Sequence, residues 1–83
     1  IFVSENNIYN VGVVGSGSHT GVAMTYTNNS QIKDNYINGV TTFASNGIYA
    51  SNSTNLTVLN NTITNFPNGY GITVDTVTNR NIH

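Results

Sequence analysis

The sequence predicts an all-β solenoid of about three coils, and two observations lead to this prediction. The first is an internal repeat, because residues 21–37 align with residues 47–63 without a gap. The second is the alternation of apolar and polar residues at the start of each copy, which is the period of a β-strand. A third copy begins at Gly71, and residues 3–8 match the second half of a copy. We expect the chain to be a fragment of a longer solenoid.

The length of the repeat varies in one place, between the last isoleucine of one unit and the first glycine of the next. A solenoid varies in this way when insertions are confined to one corner. We therefore predict a single solenoid segment over residues 1–83, with coil boundaries near residues 21, 47 and 71. The variable segments are Tyr9–Thr20, Asn38–Asn46 and Thr64–Tyr70.

Each unit is predicted to contain three short strands, which in the middle copy are residues 47–51, 56–59 and 62–66. Stacked coil on coil, such strands form three parallel sheets around an apolar core. Aliphatic side chains then stack on one another in successive coils. The predicted inward columns are Val22/Ile48/Ile72, Met24/Ala50/Val74, Val3/Ile32/Val58/Ile82, Ile8/Ile37/Ile63 and Val11/Val40/Phe66.

A two-residue corner separates the second strand of each unit from the third, as Asn60 and Asn61 do in the middle copy. Asparagine tolerates the left-handed backbone conformation that a sharp corner needs. We predict that the second corner residue is architectural and that only the first, which is Glu5, Asp34 or Asn60 in successive coils, is free for another role. The side-chain amides are predicted to form two ladders between coils, Asn6/Asn35/Asn61 and Asn29/Asn55/Asn79.

The composition excludes several classes of function. Only 6% of the residues are charged and the formal net charge is −1, so the basic surface of a nucleic-acid-binding protein is missing. No cysteine is present, which excludes a disulfide framework and a cysteine-based zinc site. No apolar run reaches the length of a membrane-spanning helix, so we expect no membrane insertion. The 16 asparagines and 12 threonines accompany isoleucines and valines at regular positions, which argues against disorder.

Three sequence steps recur in register along the chain. They are a Gly-Ile start (Gly47-Ile48), an Asn-x-x-Ile or Asn-x-x-Val step (Asn55–Val58) and an Asn-x-Ile step (Asn61–Ile63). With these steps the sequence resembles the right-handed parallel β-helix of the pectate-lyase-like superfamily, which includes polysaccharide lyases, hydrolases, epimerases and phage tailspikes. The resemblance covers nearly the whole chain and is specific for the fold, not for the function. It implies a polysaccharide partner and an extracellular or virion-surface location.

Three other folds explain the sequence less well. A leucine-rich repeat has a similar period, but only Leu56 and Leu59 are leucines. A left-handed helix of hexapeptide repeats needs strict six-residue steps, which the variable segments break. An antiparallel sandwich, the ordinary arrangement of short strands, would not explain the gapless self-alignment.

The best candidates for a functional site lie on the outward side of the first strand of each unit. In the superfamily that the sequence resembles, the substrate groove usually runs over this sheet, which implies Asp75 as a catalytic residue and Tyr49 and Thr73 as substrate-binding residues. His19 lies in the longest corner segment, which builds groove walls in that superfamily, and is a further substrate-binding candidate. The alternative is that these are ordinary outward residues, since no catalytic motif of the superfamily's lyases is present.

A candidate metal site lies at the two-residue corner. Glu5 and Asp34 occupy the same column one coil apart, and stacked coils are separated by about 4.8 Å. Close carboxylates can serve as an acid and a base or can hold Ca²⁺, which the sequence allows but does not require. Two alternatives stay open: both residues are solvated turn residues, or Asp34 forms a surface ion pair with Lys33.

These observations leave three functions open. The first is a segment of a β-helix protein that acts on or binds extracellular polysaccharide, as a lyase, hydrolase or epimerase. The second is the shaft of a phage tailspike, a homotrimer that recognises surface glycans. The third is a structural solenoid of the adhesin type, with no chemistry in this segment. An enzyme would need further acidic or basic residues around Asp75 on the same outer sheet.

Overall fold

The computed structural model describes residues 1–11, 19–39, 46–67 and 69–83, and these residues form eight β-strands. Within these four ranges, no helix has the length and apolar character needed to cross a lipid bilayer. The strands are β1 (Phe2–Ser4), β2 (Asn7–Val11), β3 (Thr20–Thr25), β4 (Asn28–Lys33), β5 (Tyr36–Gly39), β6 (Asn46–Leu59), β7 (Thr62–Thr64) and β8 (Tyr70–Ile82).

The strands of the described residues pair in parallel, as a solenoid requires. In the larger sheet, β3 and β4 pair with successive stretches of β6, β1 pairs with β4, and β8 pairs with β6 along its length. Strands β2, β5 and β7 form a second, three-stranded sheet. Parallel neighbours need a long connection between them, and here that connection is the rest of one coil. The predicted all-β solenoid is confirmed.

The register of the strands repeats the internal alignment of the sequence. Val22 pairs with Ile48, and Ile48 pairs with Ile72 in the following coil. On another part of the same sheet, Ile32 pairs with Val58. Similar residues therefore stack on one another, and positions that align in the sequence repeat are paired in neighbouring strands.

The first two strands of a coil lie in one continuous sheet, so the prediction of three separate sheets is wrong. Strand β6 has 14 residues and β8 has 13, where two short strands per coil were predicted. The φ angles of Asn52 and Asn55 in β6 are 49° and 53°, and those of Thr76 and Asn79 in β8 are 57° and 56°. Because successive coils bend at the same register, their hydrogen bonds continue past the bends.

The bends give the solenoid three faces. The first face consists of β3 with residues 46–51 of β6 and residues 70–75 of β8. The second face consists of β1 and β4 with residues 53–59 of β6 and 77–82 of β8. The third face is the three-stranded sheet of β2, β5 and β7.

The core is made of aliphatic side chains enclosed by the three faces. Leu56 is buried although the sequence did not predict it at an inward position. Its column escaped prediction because its register partners, Ser30 and Arg80, are polar. Val40, which was predicted to point inward, lies outside the described residues. The buried apolar residues are Val22, Met24, Ile32, Ile37, Ile48, Ala50, Leu56 and Val58.

Gly47 is required by the close approach of neighbouring coils. A Cβ atom at this position would lie 2.7 Å from the carbonyl oxygen of Gly71 and would also overlap the Cγ2 atom of Ile63. A Cβ atom at Gly21 would meet the carbonyl oxygen of Gly47 at the same distance. At Gly71 the nearest atom, Cγ2 of Ile63, is 3.9 Å away, which is an ordinary contact. The backbone oxygens cannot give way unless a whole coil shifts.

We expect Gly47→Ala to lower the free energy of unfolding by about 2 kcal/mol, because overpacking a tight site costs about 1–3 kcal/mol. Gly71→Ala is the matched control and should change this free energy by less than about 1 kcal/mol. Chemical denaturation followed by circular dichroism measures both values. Equal losses in the two variants would contradict the coil-to-coil contact at Gly47.

Candidate functional site

The corner between the second and third faces contains a ladder of side-chain amides. Asn35 is only 2% exposed. Its Oδ1 accepts hydrogen bonds from the backbone N–H and from the Nδ2 of Asn6, both at 3.1 Å. Its own backbone N–H and Nδ2 donate to Oδ1 of Asn61, at 3.0 and 2.9 Å. The Nδ2 of Asn35 also donates to the carbonyl of Val3 at 3.0 Å. The buried amide is therefore fully used in linking coils.

The first corner residue also has an architectural role, which the sequence analysis assigned only to the second. Glu5, Asp34 and Asn60 have φ angles of 56°, 58° and 57°, in the left-handed region. The first residue thus turns the backbone, and the second links the coils through its side chain. The Nδ2 of Asn60 further donates to Oδ1 of Asp34 at 2.7 Å.

The second ladder lies at a bend within the second face, three residues after the bend that separates it from the first face, and is exposed. The Nδ2 of Asn55 donates to Oδ1 of Asn29 at 2.8 Å, and the Nδ2 of Asn79 donates to Oδ1 of Asn55 at 3.0 Å. All three residues have positive φ angles, between 53° and 56°. In this ladder one asparagine both turns the backbone and links the coils.

Glu5 and Asp34, the candidate metal ligands, lie in successive coils at the corner. Asp34 is already engaged, because its Oδ1 accepts the bond from Asn60 and its Oδ2 lies 3.9 Å from Nζ of Lys33. Ca²⁺ takes six to eight oxygen ligands, which two carboxylates cannot supply alone. The described part of the chain contains no group of three or more histidines, aspartates or glutamates that could hold a metal. No chemical step is therefore assigned to Ca²⁺, and metal binding at these residues stays a prediction.

An open depression of about 550 Å³ lies beside the same corner. It includes the ion pair of Lys33 and Asp34, which is partly exposed and contributes little to stability. Its other polar lining residues are Asn60 and Asn61 of the corner and His83 at the end of the second face, so the depression lies beside the corner. The lining residues are Lys33, Asp34, Leu59, Asn60, Asn61 and His83.

The outward side of the first face brings three of the four predicted site residues together. Tyr49 is in register with Thr73, and Asp75 is in register with Ser51. The Oγ1 of Thr73 donates to Oδ1 of Asn46 at 2.8 Å, which orients its hydroxyl. Asp75 is exposed, and its carboxylate accepts one hydrogen bond from the neighbouring hydroxyl of Thr76, at 3.2 Å. Tyr49, Thr73 and Asp75 therefore form one continuous surface over two coils.

His19 lies at the opposite end of the first face from Asp75. The next residue, Thr20, is in register with Asn46, which is in register with Tyr70, so His19 marks the start of this face. Six residues of strand correspond to about 20 Å. The rest of its corner segment, residues 12–18, lies outside the described residues. The structure does not bring His19 next to the predicted catalytic residue.

The sequence reasoning missed a pair of tyrosines on the third face. The ring centroids of Tyr9 and Tyr36 lie 6.3 Å apart, and the ring planes are tilted by 54°. Tyr36 pairs in register with Asn7, so Tyr9 is its diagonal neighbour. A search along columns of the repeat compares only directly stacked positions. A signal was nevertheless available, since diagonal neighbours in a sheet are within reach of aromatic side chains.

The comparison with protein families identifies the class of this fold. The family model described as the right-handed beta helix region matches residues 1–83. The chain belongs to this family of right-handed β-helix proteins. No match was found among curated proteins or among solved structures.

We expect Asn35→Asp to lower the free energy of unfolding by about 3 kcal/mol or more. The substitution keeps the shape but places a carboxylate oxygen against the Val3 carbonyl and Oδ1 of Asn61, and it buries a charge. Asn79→Asp is the matched control, because Asn79 belongs to the exposed ladder, and its loss should stay below about 1 kcal/mol. Urea denaturation at neutral pH measures both. If both variants lose the same free energy of unfolding, the buried ladder stabilises the fold no more than the exposed ladder does.

Proposed function

We propose that this chain is a segment of an extracellular β-helix protein of the pectate-lyase-like type, which binds polysaccharide on the outward side of its first face. The proposal is supported by membership of the right-handed β-helix family and by the resemblance of the sequence to that superfamily. The observation that carries it is the register of Tyr49 beside Thr73 in adjacent coils.

Tyr49, Thr73 and Asp75 offer the kinds of contact that a sugar uses. A tyrosine ring packs against the apolar side of a sugar ring, and its hydroxyl group offers a hydrogen bond. The hydroxyl of Thr73 donates to Asn46 and keeps its lone pairs for a sugar hydroxyl. Asp75 adds an exposed carboxylate that accepts strong hydrogen bonds. These groups suit a glycan that lies across the coils.

The surroundings of Asp75 support binding better than catalysis. Glycoside hydrolysis ordinarily uses two carboxylates, and a lyase needs a base together with a group that stabilises the enolate. The register partners of Asp75 in the two preceding coils are Ser51 and Thr25, which carry hydroxyl groups. In a lyase, hydrolase or epimerase, Asp75 would be the base or the acid. Catalysis would also need a second charged or polar group near Asp75 on the same surface.

A tailspike-type shaft is the second candidate, and the uncharged columns between coils favour it. The hydroxyls of Thr25 and Ser51 are hydrogen-bonded at 3.2 Å, and Nδ2 of Asn38 donates to Oγ1 of Thr64 at 2.8 Å. Such hydrogen bonds link successive coils and have no catalytic role. A shaft of this type would be a homotrimer on a virion surface, and light scattering distinguishes a trimer from a monomer. If the protein is a monomer and binds no glycan, the remaining candidate function is that of a structural solenoid of the adhesin type.

We expect the protein to bind polygalacturonate, and we expect Tyr49→Ala to weaken the affinity about fivefold, because one stacking contact is lost. Calorimetry with and without Ca²⁺ measures the affinity. Tyr36→Ala, on the third face, is the matched control and should leave it unchanged. The proposal fails if the protein binds none of polygalacturonate, alginate and hyaluronan.

The same mixtures show whether binding is accompanied by turnover. Unsaturated products, detected by ultraviolet absorbance, indicate a lyase, and new reducing ends without such products indicate a hydrolase. Asp75→Asn should abolish either activity, since the amide keeps the shape of the carboxylate but cannot act as a base or an acid.

A further inference from the structure

The outward side of the third face presents a surface that the proposed function does not use. Ile8, Ile37 and Ile63 point to the core, so the residues that alternate with them point outward. We call this set the third-face surface. It consists of Asn7, Tyr9, Tyr36, Asn38, Thr62 and Thr64.

The two tyrosines form the centre of this surface. Tyr9 is 61% exposed and Tyr36 is 39% exposed, although their rings are close. The tilt of 54° between the rings leaves both available to a ligand and extends the aromatic area over two coils. Both residues belong to strands, and a tyrosine side chain has few rotatable bonds, so little conformational entropy is lost when a ligand packs against it.

Amide and hydroxyl groups border the two rings. The Nδ2 of Asn38 donates to Oγ1 of Thr64 at 2.8 Å, which orients the amide and leaves its Oδ1 as an acceptor. Asn7 and Thr62 are exposed on the two outer strands of the sheet. The third-face surface therefore combines an aromatic platform with donors and acceptors on both sides of it.

The charges indicate which ligand fits. None of the six residues is charged, and the corner residues that precede Asn7 and Tyr36 include the carboxylates of Glu5 and Asp34. Single-stranded nucleic acids need a positively charged groove beside the aromatic residues, which this surface does not offer. The six residues include no cationic side chain that could pair with an acidic glycan, so a neutral glycan fits this surface better. The two rings are bordered by amides and hydroxyls and by no aliphatic residue, which suits sugar hydroxyls better than a protein interface, where further apolar residues surround the aromatic ones.

We propose that the third-face surface binds a neutral polysaccharide, with Tyr9 and Tyr36 packed against its sugar rings and Asn7, Asn38 and Thr62 hydrogen-bonded to its hydroxyls. This inference concerns a different face and a different class of sugar from the proposed function. It rests on that proposal only in assuming that the protein recognises glycans.

The test titrates the purified protein with neutral galactan, mannan and dextran, and with polygalacturonate, by calorimetry. For at least one neutral polysaccharide we expect binding that weakens about fivefold in Tyr9→Ala and in Tyr36→Ala, and more in the double variant. Tyr36→Phe keeps the ring and should retain the affinity within about twofold. Tyr49→Ala is the matched control on the first face and should leave binding of the neutral polysaccharide unchanged. Thermal unfolding checks that each variant folds.

The outcomes separate this inference from the proposed function. If the protein binds polygalacturonate but no neutral polysaccharide, the third-face site is refuted and the proposed function stands. If a neutral polysaccharide binds, the alanine variants of Tyr9 and Tyr36 weaken it, and none of polygalacturonate, alginate and hyaluronan binds, the third-face site is supported and the first-face site is refuted. Binding of a neutral polysaccharide that the double variant leaves unchanged would overturn the inference. A dimer of the protein that the double variant dissociates, with binding unaffected, would assign the surface to a second copy instead.

Discussion

The hydrogen bonds of Asn35 at the corner between the second and third faces are the constraint on which the coil stack depends. In a parallel solenoid, neighbouring strands belong to different coils, so no tight hairpin turn sets their register. Aliphatic columns fill the core but are chemically alike, and they would tolerate a shift by two residues. The amide of Asn35 must instead meet Asn6, Asn61 and the Val3 carbonyl at once. A shifted coil would leave this buried amide unpaired, which is costly.

The composition follows from the geometry of the corners. Among the described residues, the structure assigns a positive φ angle to eleven that are not glycine, and seven of these are asparagine. Asparagine is the common non-glycine residue that enters the left-handed region at low cost. Tyr26 has a φ angle of 54° without this tolerance, and nothing in the structure explains the choice of tyrosine there. Seven of the 16 asparagines thus turn the backbone, and three more, Asn6, Asn35 and Asn61, link the coils, so their abundance is not a sign of disorder.

Much of the fold could be predicted from the sequence, because residues that align in an internal repeat become register partners in neighbouring coils. The inward stacking of Val22 on Ile48 followed from it, and so did the neighbours of Asn35. The continuous strands could not be predicted, since Asn52 and Asn55 look like strand breakers in sequence although they only bend the strand. The buried position of Leu56 was hidden by polar partners in its column. The role of the first corner residue was missed because one residue in the left-handed region is enough to turn the chain. The side chains do not reveal which of the two corner residues adopts that conformation.

The candidate sites could be predicted only in part, because they lie on surfaces that the core does not specify. The first-face residues were found through alternation and resemblance, whereas Tyr9 and Tyr36 meet on a diagonal. Both surfaces depend on coils held in register by the ladder. The most direct test of that account is hydrogen exchange of the side-chain Nδ2 protons, followed by nuclear magnetic resonance. We predict that the Nδ2 protons of Asn35 exchange at least about a hundredfold more slowly than those of Asn79, and only through global unfolding. Equal exchange rates at the two asparagines would contradict the central role of the buried ladder.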